Sequence, residues 1–203
     1  PSIIAIFVNV IFIVSIINAI NWLDGLDGLA SGFGGIISIG FFILGWSTGN
    51  LVVFIISLIN IGFCFGFLKY NYYPAKIFMG DCGSYFLGAN ISLMSIILLK
   101  NNGTFLTFFS IFLLLLYPLF DMNMVIFKRL KNKRSPFIPG REHFHHLMID
   151  NGFTDEESVL ILYLITSFLT ISSVSILNNN LMILLLPFLI FSIFTLKQKI
   201  KKI

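Results

Sequence analysis

Seven runs of apolar residues, each about the length needed to cross a lipid bilayer, recur along the chain: 3–20, 29–46, 51–68, 83–99, 104–127, 159–177 and 181–196. A helix needs roughly 20 such residues to span the hydrocarbon core. Inside that core the backbone must satisfy its own hydrogen bonds, which runs of this length do as helices. The expected fold is therefore all-α: a polytopic membrane helix bundle of about seven transmembrane helices, with residues 1–203 forming one integral-membrane domain. Composition agrees, since 57% of the residues are hydrophobic, 11% are charged and the mean hydropathy is +0.96. That balance excludes an ordinary soluble domain. The first run lacks the basic leader and small-residue cleavage site of a signal peptide. Cys64 and Cys82 are too few for a disulfide framework, and Cys64 reads as a small hydrophobe within a span.

Charge then orients the bundle. The connections alternate between two sides, and twelve of the thirteen Lys and Arg residues fall on the side that receives 21–28, 69–82, 128–158 and the tail from Lys197. The opposite side, receiving 47–50, 100–103 and 178–180, holds only Lys100. By the positive-inside rule the basic side is cytoplasmic, so the amino end starts outside and the carboxyl end finishes in the cytoplasm. Trp22 and Trp46 read as interfacial anchors at opposite ends of neighbouring spans. All nine acids and all three histidines share the basic side or the span ends that reach it. Any active surface is expected to face the cytoplasm.

Four clusters carry chemistry. At the end of the first run Asn18, Asn21, Asp24 and Asp27 follow at three-residue spacing, and the first three would form one polar stripe on a helix. Gly25 and Gly28 beside them leave the backbone open to a ligand. A polar cap on a membrane helix is the plain reading; acids at a membrane boundary favour a functional one. In the second cluster Asp81 stands between Gly80 and Gly83, with Ser84 following. It can cap the fourth helix, and it is also a hard oxygen ligand of the kind that holds Mg²⁺ with substrate phosphates. The helix start there would favour an anion. In the fifth run Pro118 should kink the helix, and Asp121 should either pair with Arg129 or Lys128 or take a catalytic or substrate-orienting role.

The fourth cluster is the basic loop 128–148. Its first part, Lys128 to Arg134, reads as a topology determinant or an anionic-lipid contact. His143, His145 and His146 follow Arg141 and Glu142. The pattern H-x-H-H suggests zinc, but no thiolate is near, and histidines beside Arg141 suit anionic phosphate oxygens better. Further on, Thr154 and Glu157 make a capping box for the next helix.

In this order the clusters resemble the polyprenyl-phosphate N-acetylhexosamine-1-phosphate transferases of glycosyltransferase family 4. That family includes undecaprenyl-phosphate GlcNAc-1-phosphate transferases and phospho-N-acetylmuramoyl-pentapeptide transferase. The matching residues are Asn18-Ala19-Ile20-Asn21-Trp22-Leu23-Asp24-Gly25-Leu26-Asp27-Gly28-Leu29-Ala30, Met79-Gly80-Asp81-Cys82-Gly83-Ser84, and Ser135-Pro136-Phe137 through Arg141-Glu142-His143-Phe144-His145-His146. The last of these, with two spans after it, looks more like the GlcNAc-1-phosphate branch.

The resemblance implies transfer of a sugar 1-phosphate from a UDP-sugar to undecaprenyl or another polyprenyl phosphate, with release of UMP. This would be the first membrane step of a cell-envelope glycan. It implies Mg²⁺, with Mn²⁺ as the alternative cation, near Asn21 and Asp81. Asp24, Asp27, His143, His145 and His146 would be catalytic. Asn18, Asn21, Asp24, Asp27, Arg141 and the three histidines would bind substrate. The implied setting is the bacterial plasma (inner) membrane, multi-pass, with the site facing the cytoplasm. The bilayer is then a partner, nucleic acid is not, and a homodimer is one open assembly.

Two departures bear on this. The family carries an aspartate pair in an early cytoplasmic loop, whereas this chain has no Asp-Asp and begins at Pro1. The resemblance therefore covers roughly the carboxyl-terminal half to two-thirds of a family member, and the expectation is a chain lacking the family's amino-terminal helices. Gly140 also stands where relatives often have Asp. An inactive or truncated relative acting as a membrane scaffold is the first rival. An ion-coupled transporter is the second, although its polar groups would be expected near the midplane rather than at one interface.

Overall fold

The structure, a computed structural model, describes residues 2–136, 138 and 140–178. Among them lie seven helices: α1 (Ile3–Trp22), α2 (Leu29–Ser47), α3 (Leu51–Asn71), α4 (Gly80–Asn101), α5 (Phe105–Lys131), α6 (Phe144–Asp150) and α7 (Asp155–Leu177). The described residues contain no strand. Six of the helices, all but the short α6, are long and apolar enough to cross a membrane. The expected seventh span, 181–196, lies outside the described residues.

Polar residues punctuate the apolar runs. Asn50 and Thr104 cap α3 and α5 by accepting from the N–H groups of Val53 at 3.2 Å and Thr107 at 3.1 Å. Thr154 and Glu157 form the expected capping box on α7, at 3.2 and 3.0 Å. Of the two roles open to Asp81, the cap on α4 is not formed. Met79 takes that position and Gly80 opens the helix at φ +60°, so Asp81 falls in the first turn with its carboxylate free for another partner. The fifth helix runs on from the expected end to Lys131, and Lys128, Arg129 and Lys131 in its last turn suit the negative end of the helix dipole. The short α6 is a helix where an open loop was expected, and it begins in the histidine motif itself.

The bundle is arranged around α2, the most enclosed of the spans. Lipid chains are as apolar as leucine, so spans associate through close packing, and small residues permit the closest approach. Gly34 faces Leu87, Gly40 faces Leu114 and Thr170, and Gly45 faces the backbone of Phe54, where an added Cβ would stand 2.8 Å from the amide nitrogen. Thus α2 packs against α3, α7 and α4, while α1 packs on α4 and α5 on α7. Ser110 and Ser173 clasp α5 to α7 reciprocally, each hydroxyl donating to the other's carbonyl at 3.0 and 2.7 Å. The outer helices α1 and α3 turn apolar faces outward, among them Ile3, Phe7, Leu51 and Ile55. Cys64 is fully buried, as a small hydrophobe should be. Helix alternation gathers the turn after α1, the segment between α3 and α4, and the segment from α5 to α7 at one end.

Candidate active site

At that end α1 stops at Trp22, and the turn that follows carries the acids. Leu23 and Asp24 donate back to Ile20 and Asn21, and Gly28, at φ +78°, redirects the chain into α2. Asp24 therefore leaves the helix before it can extend the stripe expected from Asn18 and Asn21. Asn18 does not join the cluster by any hydrogen bond either; its amide donates to Val14 within its own helix at 2.7 Å.

Asn21 instead reaches across to α4. Its Nδ2 donates to Asp81 Oδ1 at 2.9 Å and to Ser84 Oγ at 3.0 Å. Ser84 is held by its own bond to the Gly80 carbonyl at 3.0 Å. Asp24 is half-buried, and its carboxyl is raised above its ordinary value chiefly by that burial. The Gly80 N–H opposes the shift, and the negative charge of Asp81 adds to it. Asn21, Asp24, Asp81 and Ser84 thus bring hard oxygen atoms together from two sequence motifs. Asp27 faces elsewhere, accepting from the Ala75 N–H at 2.9 Å. Behind the turn, the Tyr163 hydroxyl of α7 donates to the Gly28 carbonyl, and Ser31 bonds Asn71, which in turn holds the Ile77 carbonyl.

The histidine motif forms an adjoining group. Asp121, 1% exposed, accepts from the Phe144 N–H at 2.7 Å and pairs with His143 Nδ1 at 2.7 Å. The expected pairing with Arg129 or Lys128 is not made. Seven or eight residues along one helix is about 10–12 Å of rise, which only fully extended side chains would bridge. Arg129 turns to Glu142 at 2.9 Å and the Pro136 carbonyl at 2.6 Å. That guanidinium holds the Glu142 carboxyl below the usual carboxylate range. It also lies over the Trp22 ring, 5.6 Å from its centroid. Trp22 in turn meets His143 edge-on at 5.4 Å. Trp22 is thus more than an interfacial anchor. Its place beside Asn21 in the first motif was the signal available.

His145 stacks parallel to His143 at 5.5 Å and sits 4.3 Å from His146. It is 1% exposed, and neither ring nitrogen has a partner among the described residues. Burial, then the neighbouring His146, lowers its pKa to about 4. It is neutral at pH 7. His146 is half-buried and is also lowered, by burial first and then by the charge of Arg141; Arg141 itself is exposed. Among the described residues no three His, Cys, Asp or Glu side chains gather as a metal cage. The two groups touch at Gly25, where an added Cβ would collide with the His145 ring.

Residues 1–99 match glycosyl transferase family 4. The motif turn and Asp81 both lie inside that match, and curated relatives agree with it. The chain is 37% identical over 161 residues, 79% of its length, to a protein of Bacillus subtilis named probable undecaprenyl-phosphate N-acetylglucosaminyl 1-phosphate transferase, of which the match covers 44%. It is 36% identical over 121 residues to the decaprenyl-phosphate N-acetylglucosaminephosphotransferase of Mycobacterium leprae, covering 54% of this chain and 30% of that protein. With the Haemophilus influenzae undecaprenyl-phosphate alpha-N-acetylglucosaminyl 1-phosphate transferase it shares 32% over 123 residues, 60% of this chain and 33% of the relative. The chain thus spans less than half the length of the curated relatives it matches. Over that shared part it is a family relative, and a multi-pass membrane protein by its apolar helices.

Proposed function

We propose that this chain carries part of the transfer site of a polyprenyl-phosphate N-acetylhexosamine-1-phosphate transferase. The reaction would move a sugar 1-phosphate from a UDP-sugar to undecaprenyl or a related polyprenyl phosphate. An oxygen of the lipid phosphate forms a bond to the phosphorus bearing the sugar. The bond from that phosphorus to the bridging oxygen breaks, and UMP leaves with the oxygen and the electron pair. Phosphoryl transfer of this kind needs positioning and charge neutralisation more than covalent chemistry.

The observation that carries this reading is the Asn21–Asp81 bond at 2.9 Å, with Asp24 beside it. It joins residues from two family motifs into one oxygen-rich patch next to the histidine turn. The donor set fits Mg²⁺, with Mn²⁺ as the alternative: hard oxygens only, and a second carboxylate close enough that its charge is felt. Asn21 and Asp81 would hold the ion, which when bound would neutralise the diphosphate. Asp24 and Asp27 would shape the nucleotide and reacting-phosphate region. Asp27 would do so from outside the oxygen cluster, its carboxylate accepting from the Ala75 N–H. His143, His145 and His146, with exposed Arg141, would face the sugar and phosphate oxygens. The basic connections support a cytoplasmic position for this end, and in a bacterial plasma membrane a soluble nucleotide would there meet a lipid phosphate.

The test is transfer of radiolabelled sugar phosphate from UDP-GlcNAc to undecaprenyl phosphate in detergent, with and without Mg²⁺. The chain is assayed alone and joined to the part of a full-length relative that it does not match. Lipid-linked product that needs Mg²⁺ and vanishes in Asp81→Asn supports the proposal. Folded protein that transfers nothing from any UDP-sugar tried overturns it and favours a non-catalytic relative.

A further inference from the structure

We infer that Asp121, in α5 and outside all three sequence motifs, is a positioning residue that sets which nitrogen of His143 is presented to the substrate. Its catalytic half rests on the transferase reading above; its structural half does not. Asp121 is 1% exposed, and both carboxylate oxygens are committed to neighbouring residues of one turn. Oδ1 accepts the Phe144 N–H at 2.7 Å, and Oδ2 lies 2.7 Å from His143 Nδ1. His143 occupies the N-cap position of α6 with an extended backbone and offers no side-chain cap of its own. Asp121 therefore caps α6 from another helix while it grips the preceding ring.

A carboxylate has no proton to give, so Nδ1 carries the hydrogen, and in the neutral ring Nε2 is left bare. No hydrogen bond to Nε2 is made among the described residues. The ring has little freedom to turn away: Trp22 meets it edge-on at 5.4 Å and His145 lies parallel at 5.5 Å. A bare Nε2 in a fixed ring is able to take a proton, or once protonated to donate to an anionic oxygen.

The arrangement makes an unusual forecast for Asp121→Asn, which keeps the shape of the side chain. An asparagine has one acceptor oxygen and one NH₂ group. The Phe144 N–H can only donate, so it claims the oxygen, and the NH₂ turns to His143. Nδ1 must then accept, and the ring proton moves to Nε2. The substitution should flip the tautomer without removing the ring.

Nitrogen-15 NMR of the 203-residue chain in detergent micelles reads this directly, since it contains three histidines and His145→Gln and His146→Gln assign the remaining one. His143 should appear as the Nδ1–H form in the unaltered protein and as the Nε2–H form in Asp121→Asn, with helix content retained. In the transfer assay kcat should fall on the order of 100-fold, the scale of lost acid–base assistance, with KM for the nucleotide changing far less. An Nε2–H ring in the unaltered protein overturns the inference without any variant. So does an unflipped ring in Asp121→Asn, or a flipped ring with full kcat. If the unaltered protein transfers nothing even when joined to the unmatched part of a relative, the transferase reading fails, and the tautomers alone decide the structural half.

Discussion

Gly25 and His145 come from distant parts of the chain and compete for one volume: a methyl group on the glycine would occupy the place of the imidazole edge. Gly25→Ala should therefore expel His145 and pull α6 from the turn, lowering transfer at least tenfold, whereas the same change at Gly62, which faces open space, should leave transfer intact. The radiolabel assay on both variants checks this. The second residue-scale prediction concerns acid. His145 has a folded pKa near 4, below its unfolded value of 6.5, so the unfolded chain binds more protons between those values. Its contribution to stability is whole above about pH 6.5 and is lost progressively as the pH falls toward 4. Thermal unfolding in detergent at pH 7 and pH 5 should show a larger loss for the unaltered protein than for His145→Gln. Spacing alone singled out Asn21, Asp24 and Asp81, which the fold brings together, because each sits in a compact polar motif. It missed Trp22 and assigned Asp121 the wrong partner, because those contacts cross between elements and local spacing does not encode them.

At the scale of elements, the helices α2 and α3 allow a controlled comparison. Gly45 meets the Phe54 backbone, which has no flexible end to move aside, while Gly66 of α3 meets nothing within 4 Å. Gly45→Ala should destabilise by about 1–3 kcal/mol, the usual cost of overpacking. Gly66→Ala should be neutral or slightly stabilising, since alanine is the better helix former. Thermal scanning in one detergent distinguishes them. Among the described residues each of the six apolar runs is a helix close to where hydropathy placed it, since a long apolar segment has no other way to satisfy its backbone in lipid. What hydropathy could not supply was α6, seven residues with no apolar run long enough to announce it. Its first N–H is satisfied by Asp121 of another helix, so its start depends on the assembled bundle.

For the whole molecule, orientation remains the property that charge alone argues. Cys82 is exposed beside Asp81 at the site end, whereas Cys64 is buried between helices. A membrane-impermeant maleimide should label Cys82 in inverted vesicles and not in intact cells, with Cys64 silent in both. Labelling from outside intact cells would reverse the assigned topology. The turn after α1 has a consequence for how the protein is made. Spans enter the membrane in the order in which they are synthesised, yet this early turn takes its restraints from Ala75, His145 and Tyr163. The ribosome must deliver nearly all of the described chain before the last of those restraints exists. A nascent protein stalled after α5 would hold α1 to α5 in the bilayer and still lack the Tyr163 and His145 contacts that finish the turn. The turn after α1 would be translated well before the contacts that set it.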